Sequence, residues 1–198
     1  MSLELLSWRR ECLGLYSAVR HAPDPAAGHA LWIEERDILL RTHPVSPVLP
    51  EERATFPGAA VRPYDAAYRF VCRVEDAEPC RLEVPTASDG VVPFERVGRV
   101  ELDGLGSLDV WWLASYGGGI FVPVKDALAG HGNYGGGRYL TDTVKGADLG
   151  GVDGELVIDL NFAYNPSCAY DSAWVCPLAP AGNTLAVELP VGEGEYVH

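Results

Sequence analysis

The sequence lacks the features of a protein that binds nucleic acid or spans a membrane. Its 198 residues contain 15 Lys and Arg against 28 Asp and Glu, and the formal net charge is −13. A duplex-binding surface needs a cationic face that displaces counterions from phosphates, but the densest basic group here is Trp-Arg-Arg at residues 8–10. No apolar run approaches the ~20 residues that cross a bilayer. We therefore expect neither nucleic acid nor membrane as a partner.

A secretory signal is also missing, since MSLELLSWRREC at residues 1–12 has no basic stretch followed by an apolar run. We therefore expect a cytoplasmic protein, in which thiols normally stay reduced. The five cysteines are an odd number, which argues against a complete disulfide framework. Paired Cys or His spacings typical of zinc sites are absent, and so are Gly-x-Ser-x-Gly and His-Glu-x-x-His. We expect no metal ion and no cofactor.

Two helices are predicted in residues 1–43. The first carries apolar residues at steps of three and four, at Leu5, Trp8, Cys12, Leu15 and Val19. Asp24 and Pro25 can form the cap and first residue of the second helix, and Pro44 must end it near His43. Residues 44–66 are rich in proline but too apolar for a free linker, so we predict an extended segment packed along the body.

From residue 67 onward the apolar period changes to two, which predicts about nine short β-strands. These include AYRFVCRVE, VVPFERV, GRVELDG and LAVELPV, separated from their neighbours by Gly, Pro, Asp or Asn. Connectors of helix length are absent, which favours antiparallel pairing. We predict a single domain over residues 1–198 of mainly β (α+β) class. It would be an antiparallel β-barrel or sandwich over residues 67–198, preceded by the two N-terminal helices.

Two glycine segments, Tyr-Gly-Gly-Gly at 116–119 and 134–137, each lead directly into a predicted strand. A phosphate-binding loop requires a helix at that point, so we interpret these glycines as sharp bends or bulges. A backbone site for a small anion beside Arg138 is the functional alternative.

A polar set on the later strands predicts a small-molecule site. Arg138 and Asp142 share one face of RYLTDTV but lie about 13 Å apart on an extended chain, so each needs another partner. A charge on an otherwise buried face indicates a pocket, although a face at the surface explains the same pattern. We predict an anionic ligand at the end of the β-structure, bound by Tyr134, Arg138, Asn161, Tyr164 and Asn165.

Weaker candidates for chemistry are His131 and Asp142 as acid or base, and the thiols of Cys168 and Cys176. Seven residues separate the two cysteines. They are predicted either as buried thiols packed among aromatic rings or as a disulfide, which requires Cα atoms within about 7 Å. A metal site is the third alternative and lacks the usual ligand spacing.

Four segments resemble one family of proteins. They are HPVSP (43–47), YDAAYRF (64–70), YGGGRYLTDTVKGADL (134–149) and DLNFAYNPSCAYDSAWVCPLAPAGNTLAVELPVGE (159–193). Together they resemble an uncharacterised bacterial family known as a domain of unknown function. The resemblance implies a single-domain protein with YGGGRYL and NFAYNPSCAY as signatures, and it implies no activity.

Three functions stay open at this point. The first is a protein, with or without catalytic activity, that binds a small anionic metabolite. The second is a structural or interaction module in which the signature segments only close the sheet. The third is a thiol or metal site at Cys168 and Cys176. The sequence does not indicate the oligomeric state.

Overall fold

The computed structural model describes residues 2–86 and 90–196, and it begins with two helices. Helix α1 spans Ser2–Arg20 and helix α2 spans Pro25–Thr42. The Asp24 carboxylate accepts a hydrogen bond from the Ala27 amide at 2.8 Å, so the predicted cap of α2 is confirmed. Helix α2 ends at His43 because Pro44 cannot continue it. No helix among the described residues is long and apolar enough to cross a membrane.

In the part of the chain that the structure describes, seven strands follow in two antiparallel sheets. A five-stranded sheet has the order β2-β3-β4-β5-β6, and a two-stranded sheet pairs β1 with β7. The strands are β1 Arg69–Arg73, β2 Arg81–Thr86, β3 Gly90–Leu102, β4 Gly106–Leu113, β5 Ile120–Val124, β6 Arg138–Asp142 and β7 Glu155–Asp159. The predicted mainly β (α+β) class is thus confirmed. Within the described ranges the strands pack as in a sandwich and do not close into a barrel.

Two strand predictions were wrong. VVPFERV and GRVELDG form one continuous strand, β3, because Gly98 lies at a bulge in the pairing with β4 and not in a turn. A side chain at Gly98 would approach the Glu75 carbonyl oxygen to 2.5 Å, so the close chain crossing there requires glycine. LAVELPV, residues 185–191, forms no strand, since the carbonyls of Leu189 and Val191 accept bonds from side chains instead.

Two apolar clusters fix the parts of the fold that surround the site. The first lies between the sheets, where Cys72 of β1 is buried with residues of β3 to β7, in agreement with the predicted alternation of β1. The second joins the helices to the β body through Leu15, Tyr16, Val19, Trp32, Leu39, Ala147 and Phe162. The proline-rich segment packs along the body as predicted, because Val48 and Phe56 are buried against Leu40 and Tyr170.

Candidate functional site

A small cavity lies where α1 and α2 meet the β body. Its volume is about 80 Å³, which exceeds the roughly 15 Å³ needed by one water and is well below the ~300 Å³ of drug-sized pockets. Most of its wall is apolar, and the half-exposed side chain of Lys145 marks its edge at the surface. The lining residues include Trp8, Cys12, Tyr16, Trp32, Arg36 and Tyr139, together with Lys145 and the run 164–167.

Three residues of this wall have buried polar atoms without a hydrogen-bond partner. The atoms are the guanidinium Nη1 of Arg36, the amide Oδ1 of Asn165 and the indole Nε1 of Trp32. The indole N–H lies near the Tyr16 hydroxyl, where it opposes the rise that burial causes in the pKa of Tyr16, but the two groups form no hydrogen bond of good geometry. Leaving a buried polar group unpaired costs about 1–3 kcal/mol, so native proteins rarely do it without a bound partner. Two donors and one acceptor on residues that line one cavity therefore indicate a polar occupant, either water or a ligand.

Arg36 is held rigidly by the rest of its guanidinium group. Its Nη2 lies 2.8 Å from the Glu193 carboxylate and donates to the Tyr170 hydroxyl at 3.2 Å. The guanidinium carbon lies 5.3 Å from the ring centre of Trp32 and 5.5 Å from that of Tyr164, which are cation–π distances. Burial acts to lower the pKa of Arg36, but Glu193 and Tyr170 outweigh it and raise the pKa. Arg36 therefore stays charged at every accessible pH.

Glu193 organises this side of the cavity. Its carboxylate accepts a hydrogen bond from the backbone N–H of Asn165 at 2.9 Å and one from the side-chain amide of Asn165 at 3.0 Å. It also accepts one from the Tyr170 hydroxyl. The Asn165 side chain also donates to the Gly194 carbonyl at 2.8 Å. The side-chain amide of Asn165 therefore uses its nitrogen as a donor to two acceptors, and its Oδ1 is left without a hydrogen-bond partner.

Two larger clefts are lined by no described residue that has a buried side-chain polar atom without a hydrogen-bond partner. A cleft of about 540 Å³ lies beside the end of α1, where Asp159 and Arg69 are 3.7 Å apart and Asp159 also accepts from Tyr64 and Asn161. A second of about 180 Å³ has mainly apolar walls, and its Asp142 lies 3.6 Å from Lys145. The unpartnered atoms distinguish the smaller cavity from both.

The structure brings together only part of the sequence-predicted site. Tyr164 and Asn165 line the cavity. Arg138 lies inside the β body with 1% of its surface exposed. Its guanidinium bonds Asp126 at 2.9 Å and the carbonyls of Val191 and Glu193 at 2.6 and 3.0 Å. These bonds tie β6 to the C-terminal segment, and they occupy both terminal nitrogens.

The other predicted residues also have structural partners. The Asn161 side chain accepts from the Asp65 amide at 2.8 Å and donates to the Asp65 carbonyl at 2.8 Å, which fixes the start of β1 to the end of β7. Asp142 caps the turn to Lys145. His131 is exposed in a loop, and Tyr134 contacts the cysteine region and not the cavity.

Cys168 and Cys176 are free thiols that the fold brings close together. The Cys168 backbone N–H donates to Cys176 Sγ at 3.4 Å, and the Tyr134 hydroxyl donates to Cys168 Sγ at 3.5 Å. The hydrogen bond between the two thiols lowers the pKa of Cys168 and raises that of Cys176. Among the described residues no group of three or more His, Cys, Asp or Glu is placed to hold a metal ion.

Reasoning from sequence missed Trp32 and Arg36. They lie one turn apart on α2 and face the β body, and a charge one turn after a tryptophan on an apolar helix face is the signal that marks them. The partner of Arg36, Glu193, is at the opposite end of the chain, and no local pattern joins the two.

Fold and cavity together define an α+β protein with a small, mainly apolar cavity between its helices and sheets, lined by three residues that have unpartnered polar atoms. The profile of a family described as "Protein of unknown function (DUF1684)" matches residues 54–194. This match covers more than half of the chain, so the protein belongs to that family. The match contains Tyr164 and Asn165 and begins after α2, which carries Trp32 and Arg36.

One solved structure is similar to the chain over most of its length. It is the solution NMR structure of the uncharacterized protein from gene locus rrnAC0354 of Haloarcula marismortui. The two proteins are 32% identical, with a TM-score of 0.59, over 82% of this chain and 89% of that one. No curated protein matches the chain. The family predicted by resemblance is confirmed at this level, and its bacterial distribution and signature motifs stay predictions.

Proposed function

We propose that the protein binds a small organic anion, a carboxylate with a short apolar body, in the cavity between the helices and the β body. The three unpartnered polar atoms of Trp32, Arg36 and Asn165 carry this proposal. It keeps the small anionic ligand predicted from sequence, with Tyr164 and Asn165 at the site, and assigns the charged anchor to Arg36 instead of Arg138.

The chemistry of the free atoms supports a carboxylate. One oxygen of the ligand would accept from Arg36 Nη1 and the other from the indole N–H of Trp32, since charged donors and acceptors form the stronger hydrogen bonds. Asn165 Oδ1 would accept from a hydroxyl, an amine or a bridging water. The apolar wall, which includes Leu15 and Leu39, would contact the carbon chain.

The size of the cavity sets the size of the ligand. A volume of about 80 Å³ fits a short-chain acid, and a larger body would have to extend past Lys145 to the surface. A ligand of this size, at roughly 0.8 kcal/mol per heavy atom, would bind with a dissociation constant of about 0.1–1 mM. Butyrate is therefore a suitable probe, and 1-butanol is its uncharged control.

Calorimetric titration with butyrate tests the proposal. We expect butyrate to bind and 1-butanol to bind at least tenfold more weakly, because the alcohol cannot pair with the guanidinium. Trp32→Phe keeps an aromatic ring and removes the N–H, so it should weaken butyrate binding at least tenfold, given about 1.5–3 kcal/mol for a hydrogen bond to a charged group. Trp112→Phe, at a partly exposed residue outside the cavity, is the matched control.

Native and denaturing mass spectra of freshly purified protein identify a ligand acquired in the cell. A mass released on denaturation that falls in the range of a small acid would support the proposal. Equal weak binding of butyrate and 1-butanol, or unchanged binding by Trp32→Phe, would overturn it and favour a cavity filled by structural water. The interaction-module alternative would then be preferred.

A further inference from the structure

The paired thiols of Cys168 and Cys176 are not needed by the cavity proposal, and their placement indicates chemistry of its own. Cys168 lies on the single-turn 3-10 helix Ser167–Ala169, and Cys176 lies in the irregular segment that leads to Pro177. Both side chains are partly accessible. The pair is joined by a loop whose middle, around Trp174, is exposed.

The distance between the two cysteines is suitable for a covalent bond. Because Cys176 Sγ is 3.4 Å from the Cys168 backbone nitrogen, it lies within about 5 Å of the Cys168 Cα. Since a cysteine Sγ lies about 2.8 Å from its own Cα, the two Cα atoms are at most about 8 Å apart. This bound includes the roughly 4.4–6.8 Å that is usual for disulfides, so closure needs rotation of side chains and at most a small shift of this loop. Tyr170, inside the loop, is buried and bonded to Glu193, which holds the Cys168 end in place.

The surroundings make the two sulfurs unequal. Cys168 receives hydrogen bonds from the Cys176 thiol and from the Tyr134 hydroxyl, which stabilise its thiolate and lower its pKa. Cys176 keeps its proton, because its hydrogen bond to the adjacent Cys168 thiolate and its burial raise its pKa more than the Cys168 backbone N–H lowers it. Burial is the largest cause that raises the pKa of Cys12, which reaches about 11. Nucleophilic cysteines are partly exposed and have stabilised thiolates, whereas buried structural ones are inert.

We propose that Cys168 and Cys176 form a redox-active dithiol that exchanges with low-molecular-weight disulfides, with Cys168 as the nucleophile and Cys176 as the resolving thiol. The geometry of the pair, the hydroxyl of Tyr134 and the partial exposure of both cysteine residues carry the proposal. No disulfide is present in the reduced state described here, in which both cysteines are free.

The exchange takes two steps. The Cys168 thiolate attacks one sulfur of a disulfide RSSR, forms a mixed disulfide and releases RS⁻, which takes a proton from solvent. Cys176 then loses its proton to solvent, attacks Cys168 Sγ, and releases the second RS⁻ as the Cys168–Cys176 bond forms. The protein dithiol loses two electrons, and RSSR is reduced to two RSH.

The second step is favoured by the first. The hydrogen bond to the Cys168 thiolate is the largest cause that raises the pKa of Cys176. Formation of the mixed disulfide removes that negative charge, so the Cys176 thiol ionises more easily once Cys168 is modified. The Cys176 thiol therefore stays protonated until Cys168 has formed a mixed disulfide.

Thiol mapping of the unmodified full chain tests the proposal without any variant. The protein is equilibrated with mixtures of reduced and oxidised glutathione, free thiols are blocked with N-ethylmaleimide, and peptides are identified by mass spectrometry. We expect an internal Cys168–Cys176 disulfide that increases with the proportion of oxidised glutathione, while Cys12 and Cys72 stay reduced. Absence of this disulfide at every ratio would overturn the proposal.

Variants assign the two roles. Cys176→Ser should trap glutathione on Cys168, and Cys168→Ser should leave Cys176 unmodified over the same time. Cys80→Ser, which changes an exposed cysteine outside the pair, should behave as the unmodified chain. Trapping on Cys176 instead of Cys168 would contradict the assignment. Tyr134→Phe should slow alkylation of Cys168 at pH 7 about threefold and move its pH midpoint upward, whereas an unchanged midpoint would remove Tyr134 from the proposal.

Discussion

Arg138→Met should destabilise the protein strongly, because Arg138 is the cation of a buried ion pair. Its side chain is 1% exposed and that of Asp126 is 2% exposed. Removing one member of such a pair costs about 3–5 kcal/mol, because the remaining charge stays buried without its counterion. The carbonyls of Val191 and Glu193 also lose their donor. A domain of this size has a total stability of about 5–15 kcal/mol, so the loss is a large fraction.

Urea unfolding followed by tryptophan fluorescence measures the change. We expect a loss of about 3–5 kcal/mol, equivalent to a fall in Tm of roughly 10 °C. Arg81→Met is the control, since Arg81 is 57% exposed and forms ion pairs with Glu83 and Glu95 at the surface. Exposed ion pairs contribute at most about 1 kcal/mol to stability.

A double variant separates the charge from the packing. Asp126→Asn combined with Arg138→Met removes the uncompensated carboxylate, and the amide oxygen can still accept from the Leu128 N–H that now bonds Asp126 at 2.7 Å. It should recover about half of the loss. A loss below about 1 kcal/mol in Arg138→Met, with butyrate binding abolished, would refute the structural role and restore the ligand role predicted from sequence.

Three further predictions concern the cap, the glycine bend and a buried acid. Asp24→Ala should cost about 1 kcal/mol in urea unfolding because the Ala27 amide loses its acceptor, and no loss would show that the cap is not stabilising. Gly137→Ala should lower the melting temperature more than Gly130→Ala. Both glycines have positive φ, but only at Gly137 would a Cβ lie 2.8 Å from a carbonyl oxygen, that of Val124. Equal melting temperatures would contradict this. Burial raises the pKa of Asp159, so the folded protein binds the Asp159 proton more tightly than the unfolded chain does. The free energy of unfolding therefore falls as the pH rises from below the ordinary pKa of an aspartate to above the raised value. The stability of Asp159→Asn relative to the unmodified chain should therefore increase over that pH range in urea titrations, and a constant difference would refute the shift.

Local rules accounted for the helices and much of the sheet. Asp24, Pro25 and Pro44 mark the ends of α2 because capping and proline chemistry depend on neighbours in the chain. The period of two in AYRFVCRVE predicted β1 because a strand exposes alternate residues to opposite sides, and Cys72 lies on its buried side. These parts of the fold need no knowledge of distant contacts.

Features that depend on distant contacts were not predictable. Gly98 could equally end a strand or form a bulge, and the approach of Glu75 decides for the bulge. Residues 185–191 have the composition of a strand, but Arg138 takes two of their carbonyls. Arg138 was predicted at a ligand site because the sequence shows a charge on a buried face and does not show which acid neutralises it.

The indole N–H signal of Trp32 tests the central claim most directly. The chain has five tryptophans, and the signal absent from Trp32→Phe assigns this one in a ¹⁵N–¹H spectrum. We predict that butyrate moves the Trp32 signal in a saturable way, that 1-butanol does not, and that the indole signals of the three tryptophans outside the cavity, Trp111, Trp112 and Trp174, stay in place. A Trp32 signal that is unchanged at saturating butyrate would contradict ligand binding by the unpartnered atoms of the cavity.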